Sequence, residues 1–291
     1  MKKLVTTALS LMISTQALAC TADGYLLPDN DIRIPVNHKG AVSGVDEATF
    51  NRVLASVNEV YAPLVRAEGG RLRLVPLWEN GQANARAHRL VPGAWTVEIF
   101  GGVARHPAMT ADGLALVVCH ELGHHIGGAP KRPAQLGEDM VWASNEGQSD
   151  YFATLKCLRR LFDSRSNADF VRATTVPTAL TAACRSAHVS AAARNLCVRT
   201  AMAGQAVANF FYAAGRTRGP APAFDTPSNF AAAITFNGHP AAQCRLDTYL
   251  QGALCTAKLD DDVKQDDVLE GTCNAPSTRG VRPACWYRAS R

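Results

Sequence analysis

The chain has 291 residues, of which 47% are hydrophobic and 19% are charged, and it contains nine cysteines. This apolar content is typical of a globular protein and excludes a disordered one, and the length allows a sizeable core. The net charge of +5 is not concentrated in lysine and arginine clusters interleaved with aromatic residues, so the sequence does not indicate nucleic-acid binding. Nine cysteines favour an oxidising compartment.

The first 19 residues have the three parts of a secretory signal peptide. Lys2 and Lys3 form a basic start, residues 4–13 are mainly apolar, and residues 17–19 form a small-x-small cleavage site. The apolar stretch is too short to span a membrane, and no later uninterrupted apolar run is as long. We therefore predict a bacterial exported protein, periplasmic or secreted, with no transmembrane segment in the mature chain.

Cys20 directly follows the predicted cleavage site and leaves two interpretations open. It is either the lipidated first residue of a lipoprotein or a disulfide cysteine that starts the mature chain. The lipoprotein signal usually has leucine three residues earlier, where this chain has Ala17. Because nine is odd, at least one cysteine is free, lipidated or paired with another chain.

The periodicity of the first hundred residues predicts one helix and two strands after an irregular segment at 20–45. Residues 46–68 carry apolar side chains at helical spacing, and two glycines follow them. Residues 71–77 alternate as a strand, and residues 95–100 form a second strand candidate. The stretch between these strands, residues 79–93, is polar and rich in turn residues.

The remainder of the chain reads as mainly helical. A helix is predicted at 111–126, with Thr110 as its N-cap and two glycines at its end. A second helix is predicted from about 144 to 162, and helical alanine-rich sequence covers 178–214 with a break near 186–190. The part after these helices holds four cysteines, an acidic run and several turn signals, which predicts a cysteine-bearing segment stapled to a single preceding domain.

The most informative motif is His120-Glu121-Leu122-Gly123-His124. On a helix, two histidines four residues apart share one face, so both imidazoles can bind one Zn²⁺. The glutamate that follows the first histidine can reach a water at the metal and accept its proton. The pattern is that of a zinc hydrolase.

A hydrolytic zinc site needs a third protein ligand and an open position. The position six residues after the second histidine is Pro130, which cannot bind metal. Glu146 on the following predicted helix can bind it instead. Asp150 lies one turn later on the same face, where it can accept a hydrogen bond from the far nitrogen of a ligand histidine.

These motifs together resemble the gluzincin peptidases of the HtpX and CAAX-prenyl-protease type. Three further segments match that family: Asn84-Ala85-Arg86-Ala87 before a strand, Thr110-Ala111-Asp112 at the start of the zinc helix, and His239-Pro240 with Arg245 at the family's spacing. The resemblance implies an α+β, mainly helical metallopeptidase domain with a small sheet over about residues 46–250. The cysteine-bearing segment 251–291 would then pack on the same domain.

The resemblance also implies roles for individual residues. His239 would lie near the zinc and stabilise the oxyanion, or contact the metal when substrate is absent. Arg245 would orient the site or hold the substrate backbone, and Asn84 would bind substrate. The chain departs from the family in the long separation between Glu146 and His239 and in having no transmembrane helices after its leader.

The sequence thus predicts an exported zinc endopeptidase that acts on polypeptides, with Zn²⁺ on His120, His124 and Glu146 and with Glu121 as the base. Two alternatives use the same residues. One is a non-catalytic exported binding or assembly factor that keeps zinc for structure, and the other is a zinc amidase acting on cell-wall peptides. Cys119, directly before the first ligand, is expected to be a buried thiol or a disulfide partner, and His125 is expected to be structural.

Overall fold

The structure is a computed structural model. It describes residues 24–27, 30–38, 44–134, 140–215, 219–275 and 279–289. The predicted signal peptide and Cys20 lie outside these residues. Within the described part of the chain, no helix has the length and apolar character needed to cross a membrane.

The first half of the domain is a helix followed by a small mixed sheet. Helix α1 spans Glu47–Ala67, and the strands are β1 (Arg71–Leu77), β2 (Ala85–His88) and β3 (Ala94–Phe100). The described strands form one sheet in the order β1-β3-β2, in which β1 runs parallel and β2 antiparallel to β3. The helix and both predicted strands are confirmed.

Strand β2 corrects the sequence prediction, because it lies in the stretch that the sequence marks as polar and turn-rich. Its four residues alternate between buried and partly buried positions, and the two buried ones are Ala85 and Ala87. Alanine carries too little apolar surface to give a strand its usual hydrophobic alternation. The strand is therefore recognisable only by its pairing with β3.

Three helices follow the sheet, and the last of them continues into a π-helical turn. They are α2 (Gly101–Ala104), α3 (Ala111–Ile126) and α4 (Glu146–Phe152), and α4 continues through a π-helical turn at Ala153–Cys157. The helix predicted at 144–162 is therefore present, but it begins at Glu146, two residues after the predicted start. The side chain of Asn145 caps α4 by accepting a hydrogen bond from the amide of Gln148 (2.9 Å). A π-helical turn adds one residue to one turn, which hardly alters the apolar pattern of a sequence.

The last part of the domain adds five helices. These are α5 (Leu158–Leu161), α6 (Ser164–Ala173), α7 (Thr178–Ala187), α8 (Ala191–Ala214) and α9 (Ala242–Leu254). Helices α7 and α8 confirm the helical stretch with its predicted break. Helix α9 falls where the sequence predicted no element, and the expected boundary at residue 250 lies inside it.

Helix α3 forms the centre of the fold. Every residue from Gly113 to Ile126 is buried, and the helix contacts α1, strands β2 and β3, α4 and α8. The segment after α9 joins the same core through Trp286, which is fully buried. A Cβ at Gly147 would lie 2.2 Å from the Trp286 ring, so only glycine allows α4 to contact this indole.

Four disulfides hold this arrangement. They join Cys119 to Cys157, Cys184 to Cys197, Cys244 to Cys285 and Cys255 to Cys273. These bonds account for eight of the nine cysteines, and the ninth is Cys20. The α+β class, the small sheet and the disulfide-rich C-terminal segment are confirmed.

Candidate metal centre

Helix α3 places the two histidines of the motif on one buried face. The helix starts where the Thr110 hydroxyl accepts a hydrogen bond from the amide of Gly113 (3.0 Å), as the sequence predicts. The rings of His120 and His124 lie one turn apart, with their centroids separated by 4.9 Å. Both side chains are completely buried.

Helix α4 brings Glu146 to these two rings. The carboxylate Oε2 lies 3.4 Å from His120 Nε2, and Oε1 lies 3.6 Å from His124 Nε2. The three ligand atoms all lie within 4.8 Å of one another. The structure therefore brings together the three residues that the sequence assigns as metal ligands, and this buried group could hold a metal ion.

Hydrogen bonds to the far ring nitrogens set the orientation of both imidazoles. His120 donates from Nδ1 to Asp150 Oδ1 (2.7 Å), and His124 donates from Nδ1 to the main-chain oxygen of Ser144 (2.8 Å). Each Nε2 then faces Glu146. Neither Nε2 makes a hydrogen bond, although both are buried.

This arrangement passes a test for a cation site. A buried polar atom without a partner costs about 1–3 kcal/mol, and a cation bound between the lone pairs and the carboxylate removes that cost. Two imidazole nitrogens and one carboxylate oxygen are ligands that zinc accepts, and Asp150 and Ser144 are the outer partners that such ligands need. The donor set therefore fits a divalent transition metal.

Asp150 is the hub of a buried network behind the ligands. Its Oδ1 accepts hydrogen bonds from His120, from Arg245 Nη1 (2.9 Å) and from the Tyr249 hydroxyl (2.8 Å). Arg245 also donates from Nη2 to Glu146 Oε2 (3.1 Å) and stacks over the Phe211 ring. Arg245 is fully buried, and its hydrogen bonds orient the carboxylates of Asp150 and Glu146.

The charge states of the ligands follow from this network. Burial lowers the pKa of His124 to about 4. Burial also acts to lower the pKa of His120, but Asp150 and Glu146 outweigh it and raise that pKa to about 10. Burial opposes ionisation of Glu146, yet the surrounding histidines hold its pKa well below the usual value. The carboxylate is thus ionised and ready to bind a cation.

Glu121 lies on α3 beside the ligands and has no hydrogen-bond partner for either carboxylate oxygen. Burial raises its pKa to about 8, and His120 opposes this rise. A carboxyl group with a pKa near neutrality can both accept and return a proton. Such a group beside a metal site has the properties of a general base.

His239 approaches the ligands from the chain that precedes α9. Its Nδ1 lies 3.7 Å from Glu146 Oε2, and neither ring nitrogen makes a hydrogen bond. Burial lowers its pKa, so the ring is neutral near pH 7. The nearby Asn237 anchors this chain by accepting a hydrogen bond from Asn145 Nδ2 (3.0 Å).

Asn84 has partners within its own chain. Its amide nitrogen donates to the main-chain oxygen of Leu27 (3.1 Å), and its oxygen accepts from the Leu27 amide (3.0 Å). Gly24 and Leu26 also make main-chain hydrogen bonds with β2, so this N-terminal segment lies along the outer edge of that strand. The predicted role of Asn84 in substrate binding stays a prediction.

Three residues near the site were not predicted by the sequence analysis as part of it. Ser144 contributes only its main-chain oxygen, for which no residue type gives a signal. The Ser149 hydroxyl lies 3.1 Å from His124 Nδ1. Tyr249 lies one helical turn after Arg245, and this spacing would have marked both as one face of a helix had α9 been predicted.

Two neighbouring residues have structural partners. Cys119 is bonded to Cys157, so the residue before the first ligand is a disulfide partner. His125 Nε2 lies 3.1 Å from the main-chain oxygen of Thr96, and its ring stacks on Trp142. These contacts agree with the structural role expected for His125.

Comparisons with protein-family models, with curated proteins and with solved structures find no match for this chain. The functional assignment therefore depends on the geometry of the site. That geometry consists of a buried His-His-Glu group, a network that orients it and an unpaired carboxyl group beside it.

Proposed function

We propose that this protein is an exported zinc metallopeptidase of the gluzincin type. The observation that carries the proposal is the convergence of two oriented imidazole Nε2 atoms and the Glu146 carboxylate in a buried site. The motif resemblance supports it, and so do the four disulfides, which are typical of proteins from oxidising compartments. The proposed substrate is a polypeptide.

The ligands His120, His124 and Glu146 would hold zinc and leave a position open for substrate. Zinc at such a site supplies Lewis-acid polarisation of a carbonyl group and makes water more acidic. The network of Asp150 and Arg245 keeps the ligands in the binding geometry before any substrate arrives.

Glu121 is the proposed general base. Its carboxylate accepts a proton from the attacking water and passes it to the amine that leaves after the peptide bond breaks. Burial raises the pKa of this carboxyl group, and a cation bound beside it would lower that pKa and favour the carboxylate that accepts the proton. His239 would donate a hydrogen bond from its neutral ring to the oxygen on which negative charge develops.

The test compares wild type with Glu121→Gln, and Glu59→Gln on the exposed face of α1 is the matched control. All three proteins are purified with disulfides intact, their zinc content is measured by plasma mass spectrometry, and cleavage of a peptide mixture is followed by mass spectrometry. We expect one zinc per chain in each protein and a loss of cleavage of about 10²–10⁴-fold in Glu121→Gln alone.

Two results would contradict the proposal. A wild-type protein that binds no zinc after incubation with the metal lacks the proposed centre. Cleavage by Glu121→Gln at the wild-type rate would show that the carboxyl group takes no part in the reaction.

A further inference from the structure

A cavity of about 580 Å³ lies beside the candidate metal centre. Its walls come mainly from the irregular chain 228–241 between α8 and α9, and the disulfide of Cys244 and Cys285 contributes to its lining. A cavity of this size is within the range of small-ligand sites and accommodates a large amino-acid side chain.

Two residues that line the cavity also lie next to the candidate metal centre or to the helix that carries Glu146. His239 lines the cavity, and its Nδ1 also lies 3.7 Å from the ligand Glu146. Asn237 lines it as well and accepts a hydrogen bond from Asn145, the N-cap of the helix that carries Glu146. The cavity thus shares a wall residue with the candidate metal centre, which is the position expected of a pocket for a side chain next to a scissile bond.

The lining is mainly apolar. Phe230, Ile234 and Phe236 contribute large side chains, and these three are also exposed to solvent. His239 is the one ionisable side chain among the described lining residues. An acidic or basic side chain would lose water here without gaining a charged partner, whereas an apolar side chain would gain contacts.

The walls are held in place by hydrogen bonds to other parts of the fold. The amides of Ala232 and Phe236 donate to the main-chain oxygens of Ala284 (2.8 Å) and Trp286 (2.7 Å). The amide of Ser228 donates to Asp247 Oδ2 (2.7 Å). The cavity is thus formed before a substrate binds, which lowers the entropic cost of binding.

We propose that this cavity is the specificity pocket of the enzyme and takes a bulky apolar side chain at a fixed position beside the scissile bond. The inference rests on the proposed peptidase function. It assigns the substrates to polypeptides that expose residues such as leucine, phenylalanine or methionine.

The first experiment sequences the cleavage products of a peptide mixture treated with the zinc-loaded protein. We expect bulky apolar residues to be enriched at least tenfold over acidic ones at one position relative to the cut. Ala233→Asp and Ile234→Asp each place a carboxylate in the lining at an exposed position, and they should abolish this preference. The control Val189→Asp changes a residue that is 92% exposed and outside the cavity, and it should keep the preference.

The second experiment needs no catalysis. Binding of N-acetyl-phenylalanine amide and N-acetyl-aspartic acid amide is compared by saturation-transfer NMR on Glu121→Gln. We expect the phenylalanine probe to bind and the aspartate probe not to bind, and adding Ile234→Asp should weaken the phenylalanine signal at least tenfold. Circular dichroism of each variant checks that it is folded.

The outcomes separate the two proposals. If no peptide is cleaved at all, the proposed function is wrong, and the NMR comparison still tests the pocket. If peptides are cleaved with no apolar preference, the pocket inference is wrong while the peptidase function stands. Loss of binding to phosphatidylglycerol vesicles in Ile234→Asp, with an unchanged cleavage profile, would also overturn the inference and assign the apolar chain to a membrane surface.

Discussion

The disulfide between Cys119 and Cys157 ties the helix that carries both histidines to the π-helical turn after α4. The two residues are 38 positions apart and both are fully buried. We consider replacing both by alanine, which keeps an apolar side chain in the core. The change leaves most native contacts in place and mainly raises the conformational entropy of the unfolded chain, because the loop between the two residues is no longer closed.

The expected loss of stability follows from the loop lengths. In the chain-entropy model, a loop of 38 residues gives a stabilisation of about 4 kcal/mol at 25 °C. The bond between Cys184 and Cys197 closes a loop of 13 and gives about 3 kcal/mol in the same model. The pair beside the candidate metal centre should therefore contribute more to the free energy of unfolding than the pair that joins α7 to α8.

The assay is equilibrium unfolding in guanidinium chloride under non-reducing conditions, with the Cys184→Ala/Cys197→Ala variant as the comparison. Zinc affinity is measured in parallel by competition with a chelator, and we expect it to fall only in the Cys119→Ala/Cys157→Ala variant because Cys119 directly precedes a ligand. If the Cys119→Ala/Cys157→Ala variant lost less stability than the comparison, the loop-length reasoning would be refuted.

Two further predictions concern the metal centre. Asp150→Asn should weaken zinc binding about 10–100-fold, because the orienting acceptor of His120 loses its charge, and an unchanged Kd in a chelator titration would contradict this. Zinc affinity should rise with pH between about 5 and 9. His120, with a pKa raised to about 10, must release a proton when it binds zinc. His124, with a pKa lowered to about 4, is already neutral in this range. Calorimetry in buffers of different ionisation enthalpy should detect about one proton released per zinc, and release of no proton would refute the assignment.

Much of the site could be predicted because it depends on local regularity. The repeat of 3.6 residues per turn places His120 and His124 on one face in any helix, and Glu146 and Asp150 likewise. Thr110 with the glycines after Ile126 defines the bounds of α3. These relations involve neighbours within a few residues, so they can be read without knowing the rest of the fold.

Other features had no local signal. Strand β2 has only alanines at its buried positions. The hydrogen bonds of Arg245 to Asp150 and Glu146, and of Tyr249 to Asp150, form only because α9 packs against α4. Spacing alone could not assign the disulfides: Cys184 is bonded to its sequence neighbour Cys197, but Cys244 is bonded to Cys285 rather than to Cys255.

The sequence by itself therefore predicted the helix that carries the two histidines, the three candidate ligands that the structure brings together and the general base proposed beside them. Only the tertiary structure decided which atoms orient the ligands, which cysteines are joined and where an apolar cavity meets the metal centre. The reason is that periodicity acts within one element, whereas these contacts join residues of different elements, some of them 95 and 99 positions apart, through the packing of a shared core.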